Sequence, residues 1–305
     1  MLNRFLVELI DDAGLFPPAS LSMEEALDAH DRAGAGRYQW IVGRFIVPAS
    51  RLDELETCLP RVRTRPLMVS VILDEAGAQG LRAGVARARK TVERGSGTVA
   101  VELFETRLRE PQSDESARRS LREICDAVAG AFDEAAALYV ELPSSAPDAG
   151  LRAVARERVA NEARTLGAKI RCGGLTADLF PSPEALAHFI ATAAALSVPF
   201  KATAGLHHPL RHVDSPTGFA MHGFLNIGAA AVFAHAKLAG EPTLREILSE
   251  EDAGHFTLTP AALRWRELVA DRRRVGAARA ELFHAYGSCS TTEPIEDLVA
   301  LGMLA

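Results

Sequence analysis

Lysine is nearly missing from this chain: of 34 basic residues only Lys90, Lys169, Lys201 and Lys237 are lysines. The arginine and alanine bias fits a GC-rich genome, and it makes a lysine inside a strand stand out. Cysteine is sparse as well. Cys58, Cys125, Cys172 and Cys289 are scattered, with no CxxC and no metal-ligand spacing. That excludes a zinc ribbon or a disulfide scaffold and predicts reduced thiols in a cytoplasmic protein. No apolar run reaches the ~18 residues of a membrane helix, so no membrane partner is predicted. Arg4 and Glu8 interrupt the first apolar stretch, so no signal peptide is predicted either. Positive charge is not in excess. A formal net charge of -6 gives nucleic acid no electrostatic footing. No Gly-x-Gly-x-x-Gly follows the first strand and no P-loop occurs, which leaves a nucleotide-binding reading without its motif.

What is present is an alternation. Short β-rich runs at 5–10, 38–47, 66–73, 98–104, 138–142, 168–172 and 199–205 are each followed by an amphipathic helical run or a long loop. Ser22 with Glu25 forms a capping box at the first helix. HFTLT at 255–259, followed by Pro260 at the start of a helix, supplies an eighth strand. Eight units with crossovers long enough for parallel pairing predict one α/β domain over 1–305. Its expected form is a (β/α)8 TIM barrel over about 4–271 with an extra C-terminal helical segment over about 272–305. A doubly wound open sheet is the runner-up.

Both faces of a parallel barrel strand are largely apolar, so charge inside a strand is a signal. Period-two alternation turns Glu102 inward from TVAVELF, Glu141 from LYVEL, Lys169 and Arg171 from AKIRC, and Lys201 and Thr203 from PFKATAG. Two carboxylates facing cations form either a compensated ion network or an active site. Their placement near the C-terminal strand ends, where barrel enzymes build their sites, favours the second. Arg44 and Arg107 after strands, with Arg171, suit a small anionic substrate because a guanidinium pairs bidentately with carboxylate or phosphate. Asp11 and Asp12 end the first strand, and Asp12 is a candidate for the same site.

A loop rich in histidine follows the seventh strand. His207, His208, His212 and His222 lie within sixteen residues, restrained by Pro209. His207 and His208 are candidate acid–base groups. A divalent metal held by this loop with Glu102 or Glu141 is the alternative, although the spacing matches no established ligand set.

PFKATAG resembles the Schiff-base strand of class I aldolases of the deoxyribose-phosphate type, in which a barrel lysine precedes small residues and glycine. In that family the lysine lies on the sixth strand and a second lysine on the seventh tunes it. Here Lys201 lies on the seventh, and AKIRC on the sixth offers Lys169 as the neighbouring cation. The resemblance implies a lyase in which Lys201 forms an imine with a small anionic carbonyl compound, Glu102 or Glu141 moves protons, and Arg44 and Arg171 hold the anion. KATAGLHHP, HGFLNIGAA and YGSCSTTEP are together similar to a bacterial barrel family of unassigned chemistry, which implies the fold alone.

Two other readings keep the same residues. In one, Lys201 and Arg171 are fixed cations of a phosphoribosyltransferase-like, isomerase or metal-assisted enzyme that forms no imine. In the other, the barrel binds a small anion without catalysis. The apolar helix GFLNIGAAAVFAHA and the C-terminal segment would suit a homo-oligomer or the chain's own core. Cys289 is a candidate reactive thiol, with a buried structural role as its alternative.

Overall fold

Runs rich in Val, Ile, Leu and Phe that are buried on both faces can only be interior strands, and eight of them close on one another. The computed structural model describes residues 3–63, 66–129, 136–160, 165–174, 176–215 and 217–304. The strands are β1 (Ile10–Asp12), β2 (Val42–Pro48), β3 (Leu67–Ile72), β4 (Val99–Arg107), β5 (Ala137–Glu141), β6 (Leu166–Arg171), β7 (Phe200–Thr203) and β8 (Phe283–Ser288). All neighbours pair in parallel, and β8 lies between β7 and β1 to complete the circle. The fold is a (β/α)8 barrel.

Helices α1 (Met23–Ala35), α2 (Leu52–Cys58), α3 (Gly77–Gly95), α4 (Asp114–Val128), α5 (Pro147–Ala160) and α6 (Pro183–Ala195) follow the first six strands in turn. The capping box read from Ser22 and Glu25 is formed at α1. After β7 come a two-stranded ribbon (His212–Val213 with Ala220–Met221), α7 (Phe224–His235), α8 (Glu241–Leu248) and α9 (Arg272–Glu281). Helix α10 (Thr292–Ala300) follows β8. In α7, ten of twelve residues are buried within the chain, which accounts for its all-round apolarity without a second copy. Among the described residues, no helix is long and apolar enough to cross a membrane.

Two strands differ from the sequence expectation. The run at 5–10 is mostly turn, and β1 starts only at Ile10. Phe5, Leu6 and Leu9 are apolar because they are buried beside the barrel, with Phe5 against Gly228 of α7. Glu8, at φ 47°, breaks the extended conformation between them. The eighth strand is FHAYGS, not HFTLT. Phe256–Leu258 instead forms a small antiparallel sheet with Ala262–Trp265 and Leu268–Asp271, so no helix starts at Pro260. The physical distinction lies in the burial pattern. Phe256, Leu258, Leu263 and Trp265 are buried while Thr257 and Arg264 are exposed, the one-sided alternation of an antiparallel hairpin. In β8 every residue but His284 is fully buried. The C-terminal segment is therefore part of the barrel rather than a helical addition.

Candidate functional site

The interior charge is built strand by strand. In β7, Phe200 packs outward against Phe189 of α6 and Phe283, which turns Lys201 into the barrel. In β5, Tyr139 and Glu141 face inward. The Tyr139 ring fits across the interior because Gly167 stands beside it: a Cβ there would meet Tyr139 Cε1 at 2.3 Å. In β6, Lys169 and Arg171 face inward, as expected from the alternation.

Strand β4 departs from simple alternation. Val69 of β3 pairs with Val101, but the next residue, Ser70, pairs with Leu103. The extra residue is Glu102, and this bulge shifts the parity of everything beyond it. Glu105, which unbroken alternation would turn toward the helices, points inward and is 1 % exposed. It is the central carboxylate of the barrel. Lys169 Nζ donates to Glu105 Oε2 (2.6 Å), while Lys201 Nζ (2.7 Å) and Ser70 Oγ (2.8 Å) donate to Oε1. Lys201 Nζ also donates to Asp11 Oδ2 at 2.5 Å.

Around this centre the charges alternate in an unbroken chain. Asp11 Oδ1 accepts the Arg44 backbone N–H at 2.8 Å, and the Arg44 Nη1 lies 3.6 Å from it. Arg44 Nε donates to Glu102 at 2.6 Å. On the other side, Lys169 lies 3.5 Å from Glu141, whose Oε1 accepts from Arg171 Nε at 3.2 Å and pairs with Arg107 at 3.1 Å. The column thus runs Glu102, Arg44, Asp11, Lys201, Glu105, Lys169, Glu141, and ends on Arg171 and Arg107. Buried charge is tolerated only when paired in this way.

The column fixes protonation states. Burial alone would make the Lys201 ammonium lose its proton more readily, but Asp11 and Glu105 outweigh it and raise its pKa. Burial would raise Glu105 too, yet Lys169 and Lys201 hold it well below the usual carboxylate range. Glu141 is likewise lowered against its burial by Lys169, Arg171 and Arg107.

The sequence-predicted residues divide between the two mouths of the barrel. Arg44 is the third residue of β2 and Glu102 the fourth of nine in β4, so both belong to the N-terminal half, not to the C-terminal strand ends. They line a cavity of about 950 Å3 with Arg279, Tyr139, His284 and Lys201. There His284 Nε2–H donates to Ala280 O (2.9 Å), which leaves Nδ1 to accept the Tyr139 hydroxyl. Burial pushes His284 down to about 4, so the imidazole is neutral. Arg279 donates to the carbonyls of Val7, Phe283 and His284.

Glu141, Arg171 and Thr203 end their strands at the C-terminal mouth. Arg171 pairs in register with Thr203, and Thr203 with Gly287. Beyond β7, Ala204 (φ 65°) and Gly205 (φ 68°) turn the chain sharply, and Gly205 lies against Gly173 of the loop after β6. A non-glycine residue held in the left-handed region marks a strained turn of the kind found at functional sites. Asp12 is placed elsewhere. It faces α1, where it accepts from Gly14 N (2.9 Å) and pairs with His30 Nδ1 (3.1 Å); its neighbour Asp11 takes the interior position.

The histidines have distinct surroundings. His207 Nδ1 lies 3.3 Å from Glu293 and 3.6 Å from Cys289 Sγ. Burial lowers its pKa, against Glu293. His208 Nδ1 pairs with Asp297 at 2.6 Å and packs edge-on against His212. His222 is fully buried: Nε2–H donates to Pro181 O (2.7 Å) and Nδ1 faces Arg211, so it is pinned neutral, pushed down to about 4 by burial. Among the described residues, neither Glu102 nor Glu141 is paired with the histidine loop. Among the described residues, no group of three or more His, Cys, Asp or Glu side chains is arranged to hold a metal ion.

Sequence reasoning missed Glu105, Ser70 and the inward role of Asp11. The available signal was the pair of glutamates three apart in VELFETR: in a regular strand only one of them can face inward. No family model matches this chain, and no curated protein matches it.

Proposed function

We propose that this barrel is an enzyme for a small anionic substrate, held at the C-terminal mouth by Arg171 and Arg107, with the strand lysines as fixed cations. The observation that carries this reading is the surplus at Glu141: one carboxylate faces Lys169, Arg171 and Arg107. Two of these cations have donors to spare, since Arg107 is 69 % and Arg171 34 % exposed. Prearranged donors that need not reorganise stabilise negative charge developing on a substrate. His207, neutral and beside the mouth, is the acid–base candidate.

A lysine held as ammonium between two carboxylates is a poor nucleophile, so Lys201 is better suited to setting the field than to forming an imine. Borohydride reduction in the presence of small aldehydes and keto acids is expected to leave no adduct on Lys201; an adduct there would restore the aldolase reading. The binding test is thermal. At least one of phosphate, pyruvate and oxalate should raise the melting temperature saturably, and Arg171→Ala should abolish the rise. Ligand at a hundred times Kd contributes about 2.7 kcal/mol, which a melting curve resolves.

A second reading rests on the N-terminal cavity, whose size suits a small ligand and whose lining includes Arg44 and Arg279. Stabilisation that survives Arg171→Ala and is lost in Arg44→Ala would select it.

A further inference from the structure

The turn that leaves β8 carries a group of side chains outside the ion column. Cys289 immediately follows the last residue of β8, and Glu293 lies in the first turn of α10. His207 comes from the loop after β7, the neighbouring strand. Glu293 Oε2 is 3.3 Å from His207 Nδ1, and the Cys289 sulfur is 3.6 Å from Nδ1 and 3.8 Å from Nε2. A carboxylate, an imidazole and a thiol therefore stand in contact, drawn from two loops and a helix.

Two further features bear on this group. Ser288 Oγ donates to Ser290 O (2.6 Å) and Glu293 N–H donates to Ser290 Oγ (3.1 Å), so the turn is braced and the carboxylate's residue is fixed relative to the thiol. A nucleophile on a tight strand-to-helix turn is exposed to a substrate above the sheet. Finally, Arg171, Thr203 and Gly287 form one row across three adjacent strands, so with a strand spacing of about 4.8 Å Gly287, two residues before Cys289, lies roughly 10 Å from Arg171.

We propose that Cys289 is a nucleophile for an activated acyl group, with His207 as its general base and Glu293 as the carboxylate that orients the imidazole. Arg171 then suits acyl compounds that also carry an anionic group, a point that rests on the reading above; the thiol chemistry does not. Burial raises the thiol pKa and lowers that of His207, so the resting pair is neutral and the proton moves only during attack. The sulfur bonds to the carbonyl carbon as its proton passes to His207. The bond from that carbon to the leaving alkoxide or thiolate breaks, and His207 returns the proton to the leaving group. Water, deprotonated by His207, then attacks the thioester carbon, the carbon–sulfur bond breaks, and the carboxylic acid leaves with the thiol restored.

The test compares cysteines within the intact chain. Iodoacetamide, followed by peptide mass spectrometry, should label Cys289 at least about tenfold faster than the similarly half-buried Cys125. p-Nitrophenyl acetate should acetylate Cys289, with a burst of nitrophenolate that Cys289→Ser removes. His207→Gln should bring labelling down to the Cys125 rate. Glu293→Gln, a substitution at a half-exposed position, should slow it several-fold. Equal labelling of Cys289 and Cys125, a rate unchanged in a folded His207→Gln or Glu293→Gln variant, or acetylation confined to other residues would overturn the proposal. Anion-dependent stabilisation that survives Arg171→Ala, with labelling of Cys289 intact, would count against the anion site alone.

Discussion

The two mouths of the barrel use the same residue types to opposite ends. At the N-terminal mouth there is space, and the guanidiniums of Arg44 and Arg279 are committed. Arg279 is turned onto three backbone carbonyls, and Arg44 lies among Asp11, Glu102 and Glu8. At the C-terminal mouth, two half-free arginines share one carboxylate. An arginine's role therefore follows from what its donors are spent on, not from its distance to a strand end. Arg44 and Arg171 look alike in the sequence, yet one links the column to the chain's lower rim and the other presents charge outward.

Cutting the column between the mouths should have the largest effect. Glu105→Gln leaves two buried ammonium groups without their shared carboxylate, and breaking a buried pair costs about 3–5 kcal/mol. Urea unfolding should show that loss; a cost under about 1 kcal/mol would mean that the two halves stand independently.

Acid should then weaken both mouths unequally. His222 and His284 are each held neutral, with pKa values pushed down to about 4, whereas unfolded histidine titrates near 6.5. The unfolded state therefore binds the proton first. Stability is full above about pH 6.5 and falls as pH drops toward 4, by on the order of 2 kcal/mol per group at pH 5. His222 is fully buried and His284 borders the cavity, so the fall should shrink more in His222→Gln than in His284→Gln. Unfolding curves at pH 7.5 and pH 5 compare them.

The third expected effect is functional. Arg171→Ala should remove anion-dependent stabilisation while changing the melting temperature of the free protein little. The smallest effect belongs to Glu102→Gln. This carboxylate is 36 % exposed, so its pair with Arg44 is screened, and the expected cost is about 1 kcal/mol or less with no change in anion binding. A larger loss of binding would shift the site to the N-terminal cavity.

The fold was legible because strand-like and helix-period runs alternate from β2 to β7, while the run at 5–10 overlaps β1 only at Ile10. The eighth was not. FHAYGS contains a histidine, a glycine and a serine, while HFTLT carries better strand formers and forms only a surface hairpin. Within the site, Glu141, Lys169, Arg171 and Lys201 followed from alternation alone. Glu105 did not, because a bulge is a register event between neighbouring strands, and its one trace in β4 is the pair Glu102 and Glu105, three apart, of which a regular strand turns only one inward. Asp11 and Asp12 were indistinguishable until β1 was given its true start. Cys289, His207 and Glu293 meet through tertiary closure across more than eighty residues.

The column also bears on how the chain can come together. Asp11 and Lys201, partners in the interior, are separated by 190 positions, and Glu105 joins them from between. A half-barrel ending before β7 would hold Asp11 and Glu105 with no Lys201 to meet them, and one starting after β4 would hold two lysines without the Glu105 carboxylate. Each piece keeps its outer pairs, Asp11 with Arg44 and Glu105 with Lys169 in the first and Lys169 with Glu141 in the second, but neither holds the central link through Lys201. The centre of the column is thus completed only when β1, β4 and β7 stand in one ring, so its pairing rewards closure of the whole barrel over any part of it.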